Sequence, residues 1–126
     1  MTYASIDTIR GARPSETDIT CRKGALKGQT FRVRSLSGRN LDQWVEMTNA
    51  NDTNSIYFFL CASFVTPEME FTPENITLLE EMDAYSRGDL YRQINTFNGS
   101  VASGKEDASE KETSKRGSSK PAAAAA

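Results

Sequence analysis

An α+β fold, an N-terminal β-hairpin packed on a small bundle of about four helices, is what this 126-residue chain predicts. Three observations carry that expectation. Segments 17–21 and 30–36 alternate polar and apolar residues rich in β-branched side chains, and a glycine-bearing loop separates them. Four later stretches repeat apolar residues near helical spacing, each behind a residue suited to capping or turning. From residue 100 onward the chain becomes Ser, Lys, Glu, Asp, Gly and Ala, which cannot bury enough apolar surface to offset the entropy of ordering. The division expected is a flexible arm over 1–16, one folded domain over 17–99 and a disordered low-complexity tail over 100–126.

In chain order, 1–16 holds few apolar residues, and Arg13-Pro14 disfavours helix there, so the arm is read with one short turn around Ile6 and Ile9. In the hairpin, Phe31, Val33 and Leu36 interleave with Arg32 and Arg34, and Gly24 and Gly28 supply the loop. Ser37 caps an amphipathic helix whose apolar positions are Leu41, Trp44, Val45 and Thr48; Trp44 is read as core. Turn formers over 48–54 end it.

The stretch 55–65, Ser-Ile-Tyr-Phe-Phe-Leu-Cys-Ala-Ser-Phe-Val, is apolar on every side. Ile56, Phe59, Leu60 and Phe64 recur at helical spacing, while Tyr57, Phe58, Cys61 and Val65 fill the opposite face. Periodicity does not separate buried helix from buried strand here, but length and capping favour a central helix, packed on Trp44 and on the Leu79 stripe. Next, Thr72-Pro73 reads as N-cap and first helical residue, with Phe71 before it as a staple and Ile76, Leu78, Leu79 and Met82 as the stripe. The last helix is expected to begin at Ser86 or Gly88, to use Leu90, Ile94 and Phe97, and to stop at Asn98-Gly99.

The net charge of −2 conceals three unlike segments: +5 over 1–39, −8 over 40–99 and +1 over 100–126. Such polarity steers partners and permits head-to-tail self-association, so a homo-oligomer is an expected state. No run approaches the roughly 20 apolar residues of a membrane span, and the start lacks the basic-then-apolar order of a signal peptide. No membrane partner is expected, and the location expected is cytoplasmic. Cys21 and Cys61 are read as free thiols, and the chain has no His. Without a nucleophile motif, phosphate loop or metal-ligand spacing, neither enzyme chemistry nor a cofactor is expected; Glu68-x-Glu70 and Glu80-Glu81 read as solvated carboxylates. The basic group Arg22, Lys23, Lys27, Arg32, Arg34 and Arg39 around the hairpin offers nucleic-acid binding as an alternative. The acidic helical half and the lack of a surrounding aromatic ladder favour a strand edge protected by charge, so no nucleic acid is the expectation.

The order Phe31-Arg32-Val33-Arg34-Ser35-Leu36-Ser37-Gly38-Arg39-Asn40-Leu41-Asp42-Gln43-Trp44, then the hydrophobic stretch ending near Cys61 to Val65, the start Phe71-Thr72-Pro73-Glu74-Asn75 and the closing Leu90-x-x-x-Ile94-Asn95-x-x-Asn98-Gly99, resembles the tail assembly chaperones of long-tailed bacteriophages. The likeness covers about residues 17–99. It implies a hairpin-plus-helices protein of the host cytoplasm that binds the tape-measure protein and keeps it soluble during tail assembly, outside the mature virion. It also implies a longer form made by ribosomal frameshifting that recruits tail-tube protein. A tape measure has apolar-striped helices, so its chaperone is expected to offer a groove; Met47, Tyr57, Phe58 and Phe64 are the candidate groove residues, since Met and aromatics give adaptable contact area. A small structural tail or head-completion protein is the alternative from another class.

Overall fold

Alternation and turn chemistry place the first long-range contacts. A computed structural model describes residues 2–104; of the tail expected over 100–126, residues 100–103 instead continue a helix, and 105–126 lie outside the described residues. Strand β1 (Glu16–Thr20) pairs antiparallel with β2 (Thr30–Arg34) in the register Thr17 opposite Val33 and Ile19 opposite Phe31, which turns Ile19 and Val33 into the core. The loop between them carries a 3-10 turn (Gly24–Leu26). Gly24 has φ +78°, and a Cβ there would run into the Asp83 carboxylate and Ser86. Both the dihedral and the close approach therefore demand glycine. The arm contains one helix, α1 (Ile6–Arg10), capped reciprocally by Ser5 and Thr8, and it buries none of its residues.

Helix α2 (Gly38–Asn49) starts as expected, with Ser37 Oγ accepting from Asn40 N at 3.1 Å. Trp44 packs on Phe59 with ring centroids 4.9 Å apart. The central apolar stretch divides: α3 (Ser55–Ser63) is helical, and β3 (Phe64–Thr66) is a strand. This corrects the expectation of one helix to residue 65. Two forces end it: Thr66 precedes Pro67 and is driven toward extended backbone, and β2 offers an open edge to an aromatic, β-branched triplet. Arg32 pairs with Thr66 and Val33 with Phe64, across an irregularity, so the sheet has the order β1-β2-β3.

Helix α4 (Pro73–Glu81) begins with Thr72 Oγ1 accepting from Asn75 N and with proline in its first turn. Phe71 meets Phe58 edge-on, with ring centroids 5.3 Å apart. Helix α5 (Ala84–Ser103) is longer at both ends than expected. Asp83 caps it, accepting from Ser86 N at 2.9 Å, so it starts before Ser86. It runs through Asn98-Gly99 because Asn98 is occupied in tertiary structure, donating to Ile94 O and accepting from Leu36 N at 2.9 Å; the stop is Gly104, at φ +74°. The core lies between the sheet and α3, α4 and α5: Val33, Phe59, Leu60, Phe64, Leu79, Leu90 and Ile94 are all buried. The fold is thus α+β, a small antiparallel sheet on a helical bundle. Among the described residues no helix is long and apolar enough to cross a membrane.

Candidate docking cleft

Two clefts of opposite character flank the sheet. The apolar one, about 210 Å³, opens where α4 and the loop before it lean over β2 and β3. Its floor is Phe31 and Phe64, stacked with centroids 5.6 Å apart, backed by the buried side chains of Leu79 and Leu90. Leu26, from the hairpin loop, and Pro67 with Met69, from the turn after β3, form its walls. Its lip is Met82 and Leu78, and Leu78 is 62% exposed. Helical geometry explains the lip: Leu79 is spent on the core, and its neighbour Leu78, 100° around the helix, overhangs the opening.

The second cleft, about 540 Å³, lies between β1 and α5 and is polar, with Arg22, Lys23, Asp89, Arg92 and Gln93 among its lining. Its buried carboxylate, Asp89, accepts from Arg22 N at 2.8 Å, Gln93 Nε2 at 2.8 Å and Arg92 at 3.2 Å. Burial opposes ionisation of Asp89, but the hydrogen bonds from Arg22 N and Gln93, with the Arg92 and Arg22 charges, outweigh it and hold the carboxyl below its ordinary range. Six residues earlier, at the N-cap of the same helix, Asp83 Oδ2 accepts from Ser86 N, Ser86 Oγ and Ala25 N. The Ser86 backbone bond, then the Ser86 hydroxyl and Ala25 N, lower its pKa. Ser86, fully buried, donates to Lys23 O and accepts from Leu26 N. These bonds clamp the hairpin loop onto the first turns of α5; the polar cleft is the outer face of that clamp.

Of the four sequence-predicted groove residues, the structure brings only Phe64 to the apolar cleft. Met47 is buried on α2. Tyr57 is half-buried, with the Arg87 guanidinium 5.3 Å over its ring, and Phe58 is half-buried against Phe71. Sequence reasoning missed Leu78, Met82, Met69 and Leu26. A signal existed for two of them: Leu78 stands beside Leu79 where a single stripe needs only one, and Met69 interrupts an acidic turn. The basic hairpin residues are partly engaged, Arg32 with Glu16 and Asp18 at 3.2 Å each and Arg34 with Ala62 O at 2.9 Å. Among the described residues no group of three or more His, Cys, Asp or Glu side chains is placed to hold a metal ion. No protein-family model, curated protein or solved structure matches this chain.

Proposed function

We propose that the protein is a tail assembly chaperone that binds the apolar-striped helices of a phage tape-measure protein in the cleft between α4 and the β2–β3 strands. The observation that carries this reading is the apolar cleft with Leu78 exposed on its lip, next to loops and a helix rich in carboxylates. The resemblance in sequence order supplies the client; the cleft supplies a means of holding it. A client helix laid along α4 would place aliphatic side chains over Phe31 and Phe64, in the helix-in-groove manner.

Each aliphatic side chain transferred from water to such a floor contributes about 1.5–3 kcal/mol. Association itself costs at least roughly 4 kcal/mol, so one short cleft holds a helix only weakly. A chaperone of this kind would protect its client by many copies spread along it, each site reversible and therefore removable when tube subunits polymerise. Recruitment of tail-tube protein by a frameshifted longer form extends the same proposal and places that partner outside the cleft.

Co-expression with the tape-measure protein tests the reading. The parent chain is expected to keep the client in the soluble fraction and to co-purify with it, while Leu78→Glu, folded to the same degree, loses at least tenfold of that yield. Equal yields from both would remove the cleft from the mechanism. Absence of the chain from finished virions separates this role from that of a structural tail or head-completion protein.

A further inference from the structure

Helix α1 of the N-terminal arm buries none of its side chains. Ile6 and Ile9, 66% exposed each, stand three residues apart and share one side of α1, and Tyr3, before the helix, is 83% exposed. The arm also carries Arg10 and Arg13. Arg10 pairs with Asp7 at 2.7 Å, but both groups are solvated, so that contact is weak and exchangeable. Along α4 and the loop before it, the side of the cleft that bears the lip, the charge is of the other sign. Glu68 and Glu70 flank Met69, and Glu74 and Glu81 stand four residues before and three after Leu78, next to it on α4. Among the described residues none of these four carboxylates has an ion-pair partner. An apolar helix edged with arginine and an apolar cleft edged with glutamate are complementary in both respects.

We infer that the cleft is covered, when no client fills it, by the N-terminal arm of a second copy of this chain, with Ile6 and Ile9 over the Phe31–Phe64 floor and Arg10 and Arg13 against the glutamate rim. In the structure the arm does not fill its own cleft: Ile6 and Ile9 stay exposed, and so does Leu78 on the lip. The chain is anchored at Ser15, whose carbonyl accepts from Ser35 N at 2.8 Å and whose N–H donates to Ser35 Oγ at 3.0 Å. From there the cleft lies about 13 Å back along β2, at Phe31, and about 10 Å across the sheet on the β3 side. Between Ile9 and Ser15 the backbone is curled, with Ala12 N bonded to Ile9 O and Arg13 N to Gly11 O, which takes up the length such a span needs.

An arm this short buries less than the roughly 1,200 Å² of a stable interface, so the contact is weak, as a displaceable cover should be. It is also heterologous: each pair of copies leaves one arm and one cleft free, so association continues with concentration. This inference needs only the arm and the cleft, whatever the client.

Sedimentation equilibrium of the full chain over roughly a hundredfold range of concentration reads it directly. The average mass is expected to climb above that of one chain. Ile6→Ser/Ile9→Ser, which lacks the arm's apolar face, and Leu78→Glu, which spoils the cleft, should each stay at one chain, with melting curves that overlay the parent's. Mixed in equal amounts, they should form a species of two chains and no larger one, because only one intact arm and one intact cleft remain per pair. Should Leu78→Glu fail to fold, Glu74→Lys/Glu81→Lys replaces it. A parent mass that does not change with concentration, variants that associate like the parent, or a mixture that stays at one chain would each overturn the inference. A chain that associates as expected yet leaves the tape measure insoluble would keep this inference and remove the chaperone reading.

Discussion

The two clefts differ less in size than in what their polar and apolar groups already do. Between β1 and α5 the larger one looks rich in chemistry, yet its buried carboxylate has three donors and the neighbouring Asp83 and Ser86 are bonded to the hairpin loop. Asp89, Asp83 and Ser86 are occupied in holding the fold. The smaller cleft under α4 has a floor in the core and, at Leu78, a lip in water. A concave surface suggests binding only where something in it remains unsatisfied, and by that criterion the smaller cleft is the better candidate.

Breaking each cleft at its base should separate them from the rest of the molecule. Phe64→Ala removes a ring that is 3% exposed and stacked on Phe31, so it is expected to cost about 3–5 kcal/mol of stability, the usual range for a buried aromatic truncated to alanine. Denaturant titration checks it, and a loss under about 1 kcal/mol would mean that the floor is not part of the core. Asp89→Ala leaves Arg22 N without its acceptor, takes one of two acceptors from Gln93 Nε2, which keeps Thr20 O, and should cost about 2–3 kcal/mol. Its effect on client capture should be no more than its loss of folded protein explains.

Acid offers a milder way to open the polar base alone. Asp83 and Asp89 have pKa values lowered in the folded chain, so their contribution to stability is fully present above the unfolded carboxylate value of about 3.9 and is lost as pH falls below it toward the folded values. Thermal melts of the parent should therefore fall more steeply below about pH 4 than those of Asp89→Asn, whose baseline is already lower but whose acid dependence is shallower. Parallel slopes would show that the clamp is not electrostatic. The apolar cleft has no titrating group in its lining, so its geometry should not change over the same range except through its connection to Leu26.

Much of the architecture is legible before folding is considered. The hairpin alternation, the Ser37 and Thr72 caps and the Pro73 start are local signals, and the backbone obeys them because nothing distant competes. The readings that shift are those decided by partners far along the chain. Residues 64–66 leave the helix because β2 lends an edge, and Asn98 stays within α5 because Leu36 N occupies its side chain, 62 residues away in sequence. The groove residues suffered for the same reason. Aromatic bulk at Tyr57 and Phe58 announces burial or contact without saying which, and Arg87 and Phe71 had already taken much of both. Phe64 was within reach of sequence reasoning, and Leu78 became visible only when the buried face of α4 was fixed by Leu79.

Leu78 is where the comparison becomes sharpest, because there stability and docking should come apart. Its side chain is 62% exposed and makes the lip, while Leu79 beside it is 4% exposed and belongs to the core. Replacing Leu79 with serine opens a cavity and buries a hydroxyl, whereas Leu78→Ser removes mostly solvated surface and should change stability by no more than about 0.5 kcal/mol. Serine is a slightly poorer helix former than leucine, which sets the sign of that small change as destabilising. With folding almost untouched, any loss of client solubility or of self-association by Leu78→Ser reports on the cleft alone. A Leu78→Ser chain that melts several degrees below the parent would show instead that the lip is part of the folded core, and that the distinction between an occupied cleft and an open one does not hold at this residue.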